Sequence, residues 1–209
     1  VYIMIKIGAL VSGGGTNLQA IMDAIDKGGI NAEVKAVVSN KANAYALERA
    51  KAKNIETAVI SKKDYSSLEE YGLALAKYFK DRDIDLIVLA GFMVILDASF
   101  INQFENRIMN IHPALIPSFC GEGYYGLRVH EAALKAGVKV TGATVHFVTA
   151  ECDAGPIIMQ KAVDVLDDDT PEVLQKRVME QAEWVIFPEA IKLFADGKLK
   201  VENGIVKRR

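Results

Sequence analysis

A doubly wound α/β fold, a mostly parallel sheet with helices on both faces, is predicted by three observations. Short β-branched apolar runs alternate with stretches of helical spacing over the first 90 residues, an order that calls for right-handed crossovers and parallel strands. The runs are almost continuously apolar, as befits strands covered on both faces. A glycine-rich segment, residues 12–17 (SGGGTN), follows the first run and opens the first helical stretch, the place where open α/β sheets bind ligands.

The elements follow in order. Residues 3–11 (IMIKIGALV) read as the first strand, and residues 17–27 as a helix with Leu18, Ile21, Met22 and Ile25 on one face. Residues 33–39 (EVKAVVS) are a second strand, 43–53 a helix rich in good helix formers, and 57–60 a short strand. Residues 64–80 are amphipathic and begin near serine caps, and 85–90 (DLIVLA) are a buried strand. In the second half, 108–111 is a strand, 113–126 a loop bearing Gly and Pro, 127–136 a helix, and 138–148 and 157–163 are strands. Thr170 and Pro171 are the cap and first residue of one long helix to about residue 195. Asn203-Gly204 is a two-residue hairpin turn.

Composition narrows the function classes. The 209 residues are ample for a core. A hydrophobic fraction of 51% with 25% charged residues excludes general disorder. Twenty-five Lys+Arg against 27 Asp+Glu, a net charge of -2, argue against nucleic-acid binding through bulk electrostatics. The longest apolar stretch, residues 86–96, contains Gly91 and falls short of the ~20 residues of a membrane helix. Cys120 and Cys152 stand alone, outside any CxxC pair, so a reducing compartment is expected. With no basic-then-apolar leader before the first strand, and Met4 read as the natural start, the setting expected is the cytoplasm. No repeat or linker interrupts the chain, so one domain over residues 1–209 is expected.

Three segments carry candidate chemistry. In the first, Gly15, Thr16 and Asn17 sit where glycines let a ligand approach and the helix's N–H groups favour an anion, most naturally a phosphate monoester. A dinucleotide fingerprint is excluded, because its third glycine would fall on Leu18, and no Gly-Lys-Ser/Thr of a P-loop follows. The bland alternative is a tight turn. In the second, Asn110 and His112 of NIHP alternate onto one face of a strand, and Pro113 favours extended geometry at His112. An amide that donates to an oxyanion beside an imidazole that moves protons suits chemistry at a carbonyl. In the third, residues 149–156 (TAECDAGP), Asp153 is able to hold His112 and raise its pKa if the loops meet. His146 reads as a satisfied core histidine in mid-strand, and His130 as a helix residue that caps or packs. The scattered His and Cys lack metal-ligand spacing, so no metal is expected.

At these residues the chain resembles the phosphoribosylglycinamide formyltransferase family. The motifs are VSGGGTNLQAI (11–21), SNKA (39–42), LAGFM (89–93), NIHPALIP (110–117), TGATVHFV (141–148) and DAGPI (153–157). Each is modest alone; in this order they span nearly the whole chain and are specific. The resemblance implies a Rossmann-like fold and transfer of a formyl group from 10-formyltetrahydrofolate, as co-substrate, to the amine of glycinamide ribonucleotide in purine biosynthesis. It implies that Asn110, His112 and Asp153 are the catalytic trio and that Gly15, Thr16 and Asn17 hold the phosphate. The part up to about residue 100 would bind the ribonucleotide phosphate and the remainder would carry the trio and the folate site. Glu183, with Glu180 in reserve, would meet the ribose. The folate would lie along Met93, Val94, Ile95, Leu96 and Asn110, and along Thr149, Ala150, Glu151, Cys152 and Asp153. Its partners would be these small molecules, with no nucleic acid and no membrane, in a monomer or homodimer.

The chain departs from the family pattern in places. Val94 and Leu68 stand where the family has Arg, residues 118–126 form a longer loop, and Gln181-Ala182-Glu183 reads as holding an extra residue. Methionyl-tRNA formyltransferase shares the Asn-x-His-Pro core but adds a C-terminal domain and a basic surface for tRNA, which are not expected in these 209 residues with their net charge of -2. Formyltetrahydrofolate deformylase, a hydrolase, needs no phosphate loop. A non-catalytic nucleotide-binding module would leave the NIHP motif without a purpose.

Overall fold

The computed structural model describes residues 3–209. Its strands are β1 (Ile5–Val11), β2 (Ala32–Ser39), β3 (Glu56–Val59), β4 (Leu86–Leu89), β5 (Ile108–His112), β6 (Val140–Phe147) and β7 (Ile157–Asp164), followed by β8 (Leu199–Glu202) and β9 (Ile205–Arg208). Its helices are α1 (Thr16–Asp26), α2 (Tyr45–Ala52), α3 (Leu68–Lys80), α4 (Ala98–Ile101), α5 (Leu127–Ala136), α6 (Pro171–Val178) and α7 (Trp184–Ala195). The first seven strands form one sheet in the order β3-β2-β1-β4-β5-β6-β7. Pairings from β3 through β5 are parallel, whereas β5–β6 and β6–β7 are antiparallel. The predicted doubly wound, mostly parallel sheet is what forms.

Alternation along β1 builds the two layers. Ile7, Ala9 and Val11 face Leu18, Ile21 and Met22 of α1 and Phe187 and Ala190 of α7. Leu10 points the other way, into a core with Leu75 and Phe79 of α3 and with Phe100 and Phe104. Full burial of each such aliphatic or aromatic side chain contributes about 1.5–3 kcal/mol. The Ser67 hydroxyl accepts from the Glu70 amide to cap α3, and Thr170 caps α6 in the same way with Pro171 at its start. Asn203 and Gly204 both take positive φ, 52° and 75°, as the hairpin turn between β8 and β9 requires.

Three features differ from the sequence reading. The helix predicted from residue 171 to 195 is α6 and α7 joined through a wide π-helical stretch, Met179–Glu183. Such a stretch widens the helix by one residue and turns side chains out of the regular stripe, which periodicity does not reveal. The stretch between the strands predicted at 85–90 and 108–111, to which the sequence reading assigns no element, contains α4 and a 3-10 turn, Asn102–Phe104, that bury Phe100 and Phe104. The helix predicted from residue 64 starts at Leu68, after a 3-10 turn over Lys62–Asp64.

Strand order reverses between β1 and β4, so their carboxyl ends splay apart and leave the crevice where such sheets bind ligands. Ser12 ties its walls together. Its hydroxyl donates to Asn40 Oδ1 at 2.6 Å, beyond β2, and accepts from the Met93 amide at 2.9 Å, beyond β4. Among the described residues no helix is long and apolar enough to cross a membrane.

Candidate active site

The glycine loop lies at the β1 end of the crevice. Gly15 takes φ 73°, and a Cβ there would come within 2.6 Å of the Ala46 Cβ, so only glycine fits. At Gly13 and Gly14 a Cβ would meet nothing within 4 Å. Packing makes no demand for glycine at those two positions, and their bareness leaves the backbone open to a ligand. The loop's carbonyls are held from behind: Gly13 O accepts from the Ala46 amide at 3.0 Å and Gly14 O from Arg49 Nε at 2.7 Å. In a trans peptide the next N–H points the opposite way, so the N–H groups of Gly14 and Gly15 point away from α2. No side chain caps the N-terminus of α1, leaving its first-turn N–H groups and positive end to attract an anion.

Asn17 turns its side chain into the protein. It is buried in the first turn of α1, and its Nδ2 donates to Glu183 Oε2 at 2.7 Å. Its Oδ1 has no partner. The π-helical stretch delivers Glu183, 6% exposed, to this spot. Glu180, the reserve, instead pairs with Lys176 at 3.8 Å on the outer surface. Burial pushes the Glu183 carboxyl above its ordinary value, and the bond from Asn17 offsets this only in part.

At the β5 end the structure brings together Asn110, His112 and Asp153. Asn110 and His112 alternate along β5, and His112 is 4% exposed. Asp153 comes from the turn between β6 and β7, with its backbone in the left-handed region at φ 53°, a conformation Asp tolerates better than most residues. That turn is pinned by Phe147 N bonding to Pro156 O at 2.9 Å. A Cβ on Gly155 would lie 1.7 Å from Phe147 O, so glycine is obligatory there. His112 Nδ1 lies 3.6 Å from Asp153 Oδ2, and Gly121 N donates to the same oxygen at 2.9 Å.

Two groups at this centre were not anticipated. His146, read from sequence as a core histidine, sits opposite Asn110 in the β5–β6 register. It is 2% exposed, and its Nδ1 meets Phe147 O at 2.9 Å, which satisfies the core reading on one side only. Its Nε2 lies 3.2 Å from Asn110 Nδ2 and 3.6 Å from Asp153 Oδ1. A carbonyl accepts only, so Nδ1 carries the hydrogen and a neutral His146 accepts from Asn110 through Nε2. The second N–H of the Asn110 amide remains for a ligand. The other group is the Phe119 carbonyl, 2.8 Å from His112 Nε2, carried by the lengthened loop. Register along TGATVHF is the signal that places His146 on the face of Asn110; the carbonyl, being backbone, leaves none.

Electrostatics correct one expectation. Burial pulls the His112 pKa down, and this outweighs Asp153 and the bond to Phe119, which pull it up. The imidazole therefore titrates below its ordinary 6.5 and is neutral near pH 7. For Asp153 burial acts upward, but the neighbouring His146 and His112 rings and the Gly121 amide leave the carboxyl below its ordinary value. His130 is 1% exposed with neither ring nitrogen bonded, and burial, then His112, push it to about 4. It packs and does not cap.

The wall expected to hold folate divides by exposure. Met93 and Ile95 are exposed, Val94 packs against the second core and Leu96 is buried within it. Thr149, Ala150, Glu151 and Cys152 lie exposed on the turn before Asp153. The Met93 N–H is already committed to Ser12. No group of three or more His, Cys, Asp or Glu among the described residues is arranged to hold a metal ion.

Known proteins share this arrangement of sheet and loops. A formyl transferase family model matches residues 5–191. A phosphoribosylglycinamide formyltransferase from Haemophilus influenzae is 43% identical over 202 residues, covering 97% of this chain and 92% of the relative. The human trifunctional purine biosynthetic protein adenosine-3 is 42% identical over 200 residues, 95% of this chain but 19% of that protein. The crystal structure of glycinamide ribonucleotide transformylase 1 from Symbiobacterium toebii superimposes with a TM-score of 0.93 at 45% identity, over 98% of this chain and 94% of that one. With an α/β sheet, a strand-end Asn-x-His and full-length similarity of this order, the chain belongs to the formyl transferase family, among its phosphoribosylglycinamide formyltransferases.

Proposed function

We propose that the chain transfers the formyl group of 10-formyltetrahydrofolate to the amine of glycinamide ribonucleotide, with Asn110, His112 and Asp153 at the reacting carbonyl. One observation carries the assignment of residues: a carboxylate lies 3.6 Å from each of two buried imidazoles, one of which orients Asn110. As the amine attacks the formyl carbon, the uncommitted N–H of Asn110 donates to the developing oxyanion. His112, neutral beforehand, takes the proton released by the amine nitrogen. Asp153 favours the imidazolium so formed, which then gives the proton to the departing folate nitrogen.

Substrate binding follows from the same crevice. The backbone N–H groups of Gly15, Thr16 and Asn17 hold the phosphate at the positive end of α1, and Glu183 accepts from the ribose hydroxyls. The folate lies along Met93 to Leu96 and along Thr149 to Asp153. Because the Met93 N–H is committed to Ser12, its carbonyl is the group left for the pterin. The trio and the loop come from one chain, so the chemistry suits a monomer or a homodimer acting on small molecules in the cytoplasm, from a single domain.

The experiment is a spectroscopic assay of 10-formylfolate deformylation with and without glycinamide ribonucleotide. Turnover that depends on the ribonucleotide is expected. Turnover that ignores it would reassign the chain as a hydrolase.

A further inference from the structure

The chain's two cysteines lie on the two loops that meet over the candidate active site. Cys120 precedes Gly121, Cys152 precedes Asp153, and Gly121 N donates to Asp153 Oδ2 at 2.9 Å. The residues beside the two thiols are thus joined directly. Cys120 is half-buried, its Sγ 3.3 Å from the Pro117 carbonyl, and Cys152 is exposed. Facing Cys152 are Asp153, then Cys120 and Glu122; Asp153 also faces Cys120. The same loop carries Phe119, whose carbonyl covers His112 Nε2 at 2.8 Å. Beneath that loop His112 is only 4% exposed.

We propose that Cys120 and Cys152 are a thiol pair that a low-molecular-weight disulfide oxidises to an internal bridge, fastening the 118–126 loop over His112 and closing the site. The inhibition rests on the roles given to His112 and Asp153 above; the bridge itself does not. The exposed Cys152 reacts first. Its thiolate attacks one sulfur of the reagent, releasing one thiol and leaving a mixed disulfide. The Cys120 thiolate then attacks the Cys152 sulfur, forming the bridge and releasing the second thiol. Both cysteine protons end on the two released thiols, and the reagent is the species reduced.

The surroundings set the pace. Burial and then Asp153 raise both thiols, Cys152 to about 11. Thiolate is therefore scarce near neutral pH and increases about tenfold per pH unit below that value. The pair stays reduced in brief exposure and closes faster as pH rises or as the Asp153 charge is removed.

The test incubates the full chain with glutathione disulfide at about pH 7 and about pH 9, followed by tryptic mass spectrometry without reduction and by the transfer assay. A cross-link between the peptides of residues 108–128 and 140–161 is expected, forming at least tenfold faster at the higher pH. Transfer activity falls with it and returns with dithiothreitol. Cys120→Ser keeps its initial activity and gives only the glutathione adduct on Cys152. Glutathione adducts on both cysteines without a cross-link overturn the proposal, whatever the activity shows. So does an equal loss of activity in Cys120→Ser, since the adduct alone would then account for inhibition. Asp153→Asn, followed by mass alone, cross-links faster at about pH 7. An unchanged rate in that variant puts the thiols beyond the carboxylate's reach and overturns the assignment.

Discussion

Asn17 and Glu183 are hydrogen-bonded at 2.7 Å inside the protein, although 166 residues separate them in the chain. The bond joins the first turn of α1, where phosphate is expected, to the π-helical stretch that carries the expected ribose acid. Asn17→Ala strands a buried carboxyl. It is expected to cost about 1–3 kcal/mol in denaturant unfolding and to raise the KM for glycinamide ribonucleotide while leaving that for folate unchanged. Unaltered ribonucleotide affinity would move the phosphate elsewhere.

Glu183 also makes stability depend on pH. Its folded pKa lies above the ordinary 4.5 because burial penalises the charge. The folded state thus binds the proton more tightly than the unfolded chain. That contribution is fully present below about pH 4.5 and is lost as pH rises through the folded value. Glu183→Gln removes the dependence and keeps an acceptor for Asn17. Its melting temperature is expected to exceed the parent's near neutral pH and to converge with it toward acid, while the ribonucleotide KM rises. A parallel offset at every pH would show that Glu183 does not titrate in this window.

His112→Ala is expected to lower kcat by about 10²–10⁴-fold, the range for loss of general acid–base catalysis, with the circular dichroism spectrum retained. In the parent enzyme the acid limb of kcat/KM reports the free His112. Since burial holds this group below 6.5, the rate is flat near neutral pH and falls only as pH drops through that lower value. A limb above the ordinary histidine value would mean that Asp153 outweighs burial.

How much of this was legible beforehand follows physical lines. The strands and the α1 to α3 stripes were readable because apolar periodicity is local. Asn110, His112 and Asp153 were readable as residue types at strand ends, and the pairing of two loops was stated as a condition. Its fulfilment depends on the antiparallel return of β6 and β7, which brings Asp153 back over β5. Periodicity hid the π-helical stretch, because one widened turn leaves the apolar spacing of Val178, Ala182 and Ile186 looking helical, and only the extra residue at 181–183 pointed to it. Nor was the direction of the His112 shift, since partners are countable from sequence whereas burial is not.

His146 is where the register, more than the motif, identifies a working residue. It stands opposite Asn110, accepts from its amide when neutral, and lies 3.6 Å from Asp153. It is therefore a positioning residue, acting through Asn110 and Asp153. His146→Phe preserves bulk but leaves the half-buried Asn110 amide without its acceptor and the Asp153 carboxylate without a neighbouring imidazole. A loss in kcat of about tenfold or more is expected, with little change in either KM, because oxyanion stabilisation is felt mainly in the transition state. The pH profile separates this from simple misfolding. His146, 3.6 Å away, is the largest influence holding Asp153 low, so its removal raises the Asp153 pKa and weakens the support given to the His112 imidazolium. A variant with reduced kcat, native melting temperature and an acid limb moved from the parent's fits this role. A variant with the parent's kcat would return His146 to the core.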